Sequence, residues 1–160
     1  MMTIKANGNE YKVEFSFDAA ENKNIVQRIF AYISGAYLVA EAEKNPAQAT
    51  MDGVSNMVAD IPQTCIEAIY AGCLAHNPVT MDEAKDLARA YITEKRKIDK
   101  KYSYRGLFDE IKVCMEDDGF FELSGITAMI EDMNKSIEEA QNPKLTVVPQ
   151  DHKKKQTSTR

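Results

Sequence analysis

The dipeptide Asn7-Gly8 constrains the fold of this chain most, because it predicts a β-hairpin and fixes its register. Both central positions of a two-residue hairpin turn need a positive φ, which Asn and Gly adopt readily. Apolar and polar residues alternate on both sides of the turn, as in half-buried strands. The predicted pairs are Ala6 with Asn9, Lys5 with Glu10, Ile4 with Tyr11, and Met2 with Val13. Opposite charges then meet on one face and apolar side chains on the other.

The apolar face of this hairpin needs a cover, because an isolated hairpin is marginally stable in water. We therefore expect the face to pack onto the following helix, which contains Ile29 and Phe30. The predicted face consists of Ile4, Tyr11, Val13, Phe15 and Phe17.

After residue 17 the apolar spacing changes to three and four residues, which predicts helices. Asp18 and Glu21 have the spacing of a capping box at the start of the first helix, and Asn45-Pro46 is predicted to end it. The predicted apolar stripe of this helix is Ile25, Val26, Ile29, Phe30, Ile33 and Tyr37.

A second apolar stripe extends over residues 51–74 and is interrupted by Pro62. Proline removes a backbone donor and clashes with the preceding turn of a helix. The sequence therefore predicts either a kink or two abutting helices, with Pro62 in the first turn of the second.

Three more helical segments follow. Thr80 and Glu83 form a second capping box, Gly119 is a helix stop, and Ser124 is a candidate cap for the last helix. The inward residues predicted for these segments are Ala84, Leu87, Ala88 and Tyr91, then Leu107, Phe108, Ile111, Cys114 and Met115, and finally Ile126, Met129, Ile130, Met133 and Ile137.

These patterns predict an α+β, mainly α fold, in which an N-terminal β-hairpin packs on a bundle of about five helices. Residues 1–141 are expected to form a single globular domain, with the hairpin at residues 2–17 and the helices at 18–141. The apolar periodicity stops at Asn142, so residues 142–160 are expected to form a flexible tail.

Composition excludes several classes of function. Acids outnumber bases by 25 to 20, for a net charge of −5, whereas general nucleic-acid binding needs a basic face. No apolar stretch approaches the ~20 residues of a membrane helix. The N-terminus also lacks the basic start and apolar block of a secretory signal. Cys65, Cys73 and Cys114 each fall on an apolar stripe, which predicts reduced, buried thiols in a cytosolic protein.

The residues that usually carry chemistry do not form a recognisable motif. His76 and His152 have no second ligand at zinc spacing, and no glycine-rich phosphate loop is present. Asp117-Asp118-Gly119 lacks the remaining ligands of a calcium loop, so a helix stop explains it better. The sequence thus predicts no catalytic residue, no metal site and no cofactor.

Methionine usage is the first feature that suggests a function. Methionine is flexible and polarizable, so it suits surfaces that accept varied apolar partners, although it also fills cores. Both interpretations stay open at this stage. The candidate partner-binding residues are Met51, Met57, Met115, Met129 and Met133.

The order of these segments resembles the tail assembly chaperones of long-tailed, siphovirus-type phages and prophages of Gram-positive bacteria. The likeness covers roughly residues 2–123. It consists of the hairpin, the apolar helical segment Ile66–Gly72, the capped segment Val79–Ala84 and, after a charged stretch, Gly106–Ile111.

The resemblance implies a non-enzymatic helper in the host bacterial cytoplasm that is absent from the mature virion. It would bind the long, helical tape measure protein and help recruit tail tube (major tail) subunits, with possible self-association. A small helical adaptor module without catalytic activity is the alternative, and an enzyme of unrecognised type is the weakest hypothesis.

The resemblance also implies a programmed frameshift, since related genes often give a short product and a longer −1 product. Lys153, Lys154 and Lys155 mark the candidate frameshift region, because consecutive lysine codons can form a slippery run of adenines. A plain basic tail explains the same three residues.

Overall fold

Two strands and seven helices make up the regular structure of residues 1–35 and 45–141, the residues that the computed structural model describes. The chain is α+β and mainly α, as predicted. Two of the helices are single turns of four residues, which leaves five longer ones. The elements are β1 (Met2–Ala6), β2 (Asn9–Val13), α1 (Phe17–Ala20), α2 (Lys23–Ile33), α3 (Pro46–Cys73), α4 (Met81–Ile98), α5 (Tyr104–Asp117), α6 (Phe120–Leu123) and α7 (Ile126–Gln141).

The hairpin has the predicted register in every pair. Asn7 and Gly8 adopt φ values of 52° and 78°, and Lys5 forms an ion pair with Glu10 at 2.8 Å. The packing of the hairpin differs from the prediction, because β1 lies on α4 and β2 on α3, rather than on α2 with its Ile29 and Phe30. Helices α3 and α4 also pack on each other.

Gly72 in α3 permits a close contact between the hairpin and this helix. Its carbonyl accepts a hydrogen bond from the Glu14 amide at 2.8 Å. A Cβ at Gly72 would lie 2.4 Å from Val13 Cγ1, well inside van der Waals contact. A residue with a side chain would therefore push the hairpin away from α3.

Residues 14–35 depart from the prediction. The helix opened by Asp18 is only the single turn α1, whose N-cap is Ser16 and not Asp18, and Phe17 is 68% exposed. The longer helix α2 begins after Asn22, whose side chain accepts a hydrogen bond from the Ile25 amide at 3.3 Å. It ends at Ile33, so Asn45-Pro46 does not terminate it, and the stripe residue Tyr37 lies outside the described residues.

Helix α3 continues through Pro62 as one element of 28 residues, so the prediction of two abutting helices is wrong. Asn45 caps its start by accepting a hydrogen bond from the Ala47 amide at 3.0 Å, and Pro46 occupies the first turn, where its missing N–H costs no helical hydrogen bond. Helix α3 packs against α1, α2, α4, α5 and β2, and such tertiary contacts outweigh the local preference of one proline.

The later helix boundaries largely follow the sequence signals. Thr80 and Glu83 form the predicted capping box at the start of α4. Gly119 adopts a φ of 74° just after α5, as expected for a helix stop. Ser124, however, ends α6 instead of capping the last helix, and the left-handed Gly125, with a φ of 76°, precedes α7.

One cluster of buried side chains joins the hairpin to α1–α6 and to the first residue of α7. All five residues predicted to face inward from α5 belong to it. Cys65, Cys73 and Cys114 are buried and unpaired, and burial raises the pKa of these thiols to about 12, 11 and 11 respectively. They are therefore protonated at neutral pH. The largest fully buried side chains include Phe15, Phe120, Ile4, Ile25, Ile29, Ile69, Leu107, Ile111 and Met115.

Within the described parts of the chain, no helix has the length and apolar character required to cross a membrane.

Candidate partner-binding surface

Helix α7 projects beyond the packed part of the molecule. Among the described elements it packs mainly on α6. Ile126 is only 3% exposed and Ile130 is half-buried, but every residue from Glu131 to Ala140 is exposed. The core therefore covers only the first turns of this helix.

An apolar stripe continues along the same face of α7 after the cover ends. Ile126, Ile130, Met133 and Ile137 follow one another at spacings of four, three and four residues, so they share one side of the helix. Met129 borders them. Met129, Met133 and Ile137 are 55%, 40% and 51% exposed. At a rise of 1.5 Å per residue, the stripe from Ile126 to Ile137 is about 16 Å long, or three turns.

Four acids and one lysine lie on the part of α7 away from the stripe. The acids lie on both sides of the face opposite the stripe, and Lys135 lies at the centre of that face, as follows from 3.6 residues per turn. Lys135 reaches Asp132 at 3.8 Å. The stripe is therefore closer to acids than to the base. The acids are Glu131, Asp132, Glu138 and Glu139.

A groove of about 290 Å³ lies at the base of α7, between it and the ends of α2, α5 and α6. Its apolar lining comes from Ile33, Phe121, Ile126 and Ile130, so two stripe residues also belong to the groove. Its polar rim consists of Lys112, Glu116, Glu122, Thr127 and Glu131. The groove and the stripe thus form one continuous apolar surface, which we call the α7 surface.

The N-terminal half of α3 exposes a second apolar surface. Met51, Val54 and Val58 are 70%, 41% and 56% exposed, at spacings of three and four residues on one side of the helix. Met57 is half-buried beside them. This side of α3 becomes part of the core only from Ile61 onward, so α3 resembles α7 in exposing one end of a stripe whose other end is covered.

The structure separates the five methionines predicted to bind a partner. Met129 and Met133 lie together on the α7 surface, and Met51 and Met57 lie on α3. Met115 is fully buried among core residues, so the assignment of Met115 to a binding surface is wrong. Lys153, Lys154, Lys155 and the predicted tail at residues 142–160 lie outside the described residues.

Sequence reasoning missed the groove. Ile33 belongs to the predicted stripe of the first helix, and Phe121 belongs to no predicted stripe. Their proximity depends on how α2 and α6 pack. One local signal was available for the stripe, since residues 131–141 contain four acids and only two large apolar side chains, Met133 and Ile137. That ratio is too low for a helix covered on one side along its whole length.

A polar cluster between α4 and α5 is the strongest alternative site. The Glu110 carboxylate accepts hydrogen bonds from the Tyr91 hydroxyl at 2.5 Å and from Lys95 Nζ at 2.9 Å. Lys95 Nζ also lies 5.1 Å and 5.7 Å from the ring centroids of Tyr91 and Tyr102. The Tyr102 hydroxyl is buried near this carboxylate, but outside normal hydrogen-bond geometry.

The charges of this cluster neutralise each other. Burial alone would raise the pKa of Glu110, but the hydrogen bonds from Tyr91 and Lys95 hold it below its usual value. The hydrogen bond to Glu110 raises the pKa of Lys95, and burial raises the pKa of Tyr91 and Tyr102. These shifts move each pKa away from neutral pH, whereas a general acid or base works best with a pKa near the working pH. The cluster is therefore suited to joining α4 to α5.

Among the described residues, no three His, Cys, Asp or Glu side chains come together in a group that could hold a metal ion. Comparison with protein-family models, curated proteins and solved structures found no match to this chain.

Proposed function

We propose that this chain is a non-enzymatic phage tail assembly chaperone. It binds the tape measure protein in the host cytoplasm and helps recruit tail tube subunits during tail morphogenesis. The single observation that supports binding of a helical polypeptide is the exposed, methionine-containing apolar surface of α7. The assignment to phage tails rests on the resemblance of residues 2–123 to that family.

The physical basis is the mutual covering of apolar helical faces. A long helical protein that waits for its tube exposes apolar faces, and such faces aggregate. A chaperone can cover them by helix-in-groove contact, in which an amphipathic helix inserts its apolar side into a groove. Met129 and Met133 suit this role because their side chains adapt to different partner surfaces.

Co-expression with the tape measure protein of the same genome tests the proposal. The wild-type chain should increase the soluble fraction of the tape measure protein severalfold. The double variant Met133→Gln/Ile137→Gln should lose most of this effect, because both side chains belong to the α7 surface. The helix itself should be retained, since Gln has a good helix propensity. Ile98→Gln is the matched control, since Ile98 is 91% exposed at the end of α4 and distant in sequence from α7.

An equal soluble fraction with and without this chain would contradict the chaperone function. Gene order separates it from the adaptor alternative. A tail chaperone gene is expected between the major tail protein gene and a very long tape measure gene, whereas an adaptor has no reason to be there.

The proposed longer product has a separate test. The codons of Lys153 to Lys155 should contain a slippery heptamer, and the −1 frame should stay open beyond them. Mass spectrometry of infected cells should then detect a minor, longer protein with the same N-terminal peptides. A closed −1 frame would remove the frameshift proposal at this site and leave the chaperone proposal intact.

A further inference from the structure

The charges around the α7 surface have one predominant sign. Glu116, Glu122 and Glu131 lie around the groove, opposed by Lys112 alone. Further along α7, Glu138 and Glu139 are exposed, and Lys135 is near Asp132 on the side away from the stripe. An approaching helix therefore meets an apolar groove whose rim is mainly acidic, with further acids on the flanks of α7 away from the stripe.

We propose that the α7 surface binds one amphipathic helix of the partner, whose apolar face is bordered by Lys or Arg residues. This inference rests on the proposed function and specifies the chemistry of the bound segment. Three turns of a helix match the stripe of about 16 Å. Basic side chains on both edges of that helix would reach the acids of α7 and of the groove, whereas an acidic border on the partner would be repelled.

A second copy of this chain fits the same surface poorly. Two copies that packed through their α7 surfaces would bring the acidic rims of their grooves together. Each rim contains three glutamates and one lysine, so like charges predominate on both sides of such a contact. The charge pattern therefore favours a basic partner over self-association.

Two labelled synthetic peptides test this inference with the full chain in fluorescence anisotropy. Both are amphipathic helices of about 18 residues, long enough for measurable helicity, with the same leucine face. One has lysines and the other has glutamates on the remaining positions. The lysine peptide should bind at least about tenfold more tightly at low salt, and the difference should shrink as salt screens the charges.

Variants of the chain locate the binding site. Met133→Gln/Ile137→Gln should weaken binding of the lysine peptide by about tenfold or more, and Ile98→Gln should leave it unchanged. Glu131→Gln/Glu138→Gln should weaken it by about fivefold and reduce its salt dependence. The control Asp86→Asn/Glu94→Gln removes two exposed charges from α4 and should have little effect.

Three results would overturn the inference. The first is equal binding of the two peptides, and the second is an equal loss of peptide affinity in the α4 control Asp86→Asn/Glu94→Gln. The third is a dimer in analytical ultracentrifugation that dissociates in Met133→Gln/Ile137→Gln, because a second copy would then be the occupant. If neither peptide binds but the tape measure protein is kept soluble, only this inference fails. If the lysine peptide binds but the tape measure protein gains no solubility, the proposed function fails.

Discussion

Helices α5 and α7 have similar apolar patterns and opposite surroundings. The stripe of α5 is buried by α3, α4 and α6, and it contains Ile111 and Met115 at 0% exposure. The stripe of α7 has the same spacing, but Met133 and Ile137 are 40% and 51% exposed. Periodicity therefore identifies the apolar side of a helix, whereas neighbouring elements decide whether that side is buried or exposed.

The charged residues of the two helices differ in the same way. Glu110 of α5 joins its helix to α4 through Tyr91 and Lys95, and Arg105 donates to the Tyr32 hydroxyl of α2 at 3.0 Å. The one ion pair found within α7, between Lys135 and Asp132, is local to the helix. Charges on α5 therefore join neighbouring helices, whereas Glu131, Glu138 and Glu139 of α7 are exposed to solvent.

The largest difference in unfolding free energy is expected between alanine variants of two phenylalanines outside α5 and α7. Phe15 is fully buried and contacts the Phe120 ring with a centroid distance of 5.9 Å, whereas Phe17 is 68% exposed. Phe15→Ala should lower the free energy of unfolding by ~3–5 kcal/mol through lost burial and a residual cavity. Phe17→Ala should change it by no more than ~0.5 kcal/mol. Chemical denaturation measures both, and similar losses would show that exposure does not separate the two sites.

A matched isoleucine pair tests the comparison of α5 with α7 directly. Ile111→Ala should cost ~2–5 kcal/mol of unfolding free energy, because the side chain is fully buried. Ile137→Ala should cost less than ~0.5 kcal/mol, since half of the side chain is already in water and Ala favours a helix. A large destabilisation by Ile137→Ala would mean that the stripe of α7 is covered within this chain, and the partner-binding proposal would lose its basis.

The smallest expected difference is in the pH dependence of stability, between variants of Glu110 in α5 and Glu138 in α7. The pKa of Glu110 is lowered in the folded state, so its carboxylate stabilises the fold at neutral pH, and this contribution is lost as the pH falls below its ordinary value of 4.5. Because the side chain is 37% exposed, solvent screening limits the effect to ~1 kcal/mol or less.

Unfolding curves at pH 7 and pH 3.5 measure this contribution. Glu110→Gln should destabilise the protein at pH 7 and flatten the decline of stability toward pH 3.5. Glu138→Gln on α7 is the matched control and should follow the wild type at both values. A Glu110→Gln protein as stable as the wild type at pH 7 would show that the cluster with Tyr91 and Lys95 contributes nothing measurable.

The sequence by itself determined the features whose causes are local. Asn7-Gly8 set the hairpin register through positive φ, Thr80 and Glu83 set the start of α4 through mutual hydrogen bonds, and Gly119 ended α5. The apolar residues of α5 were also predictable as core, because they are dense enough to require a cover on one side. Each of these depends on side chains within a few residues of each other.

Only the tertiary structure decided which apolar surfaces stayed exposed. The packing of β1 and β2 on α4 and α3, the continuity of α3 through Pro62 and the exposure of Phe17 all depend on residues distant in sequence. The α7 surface has the same origin, since Ile33, Phe121 and Ile130 meet only when α2, α6 and α7 are placed together. The periodicity of a helix gives the direction of its apolar side, but burial requires a second surface, and the position of that surface is set by the whole fold.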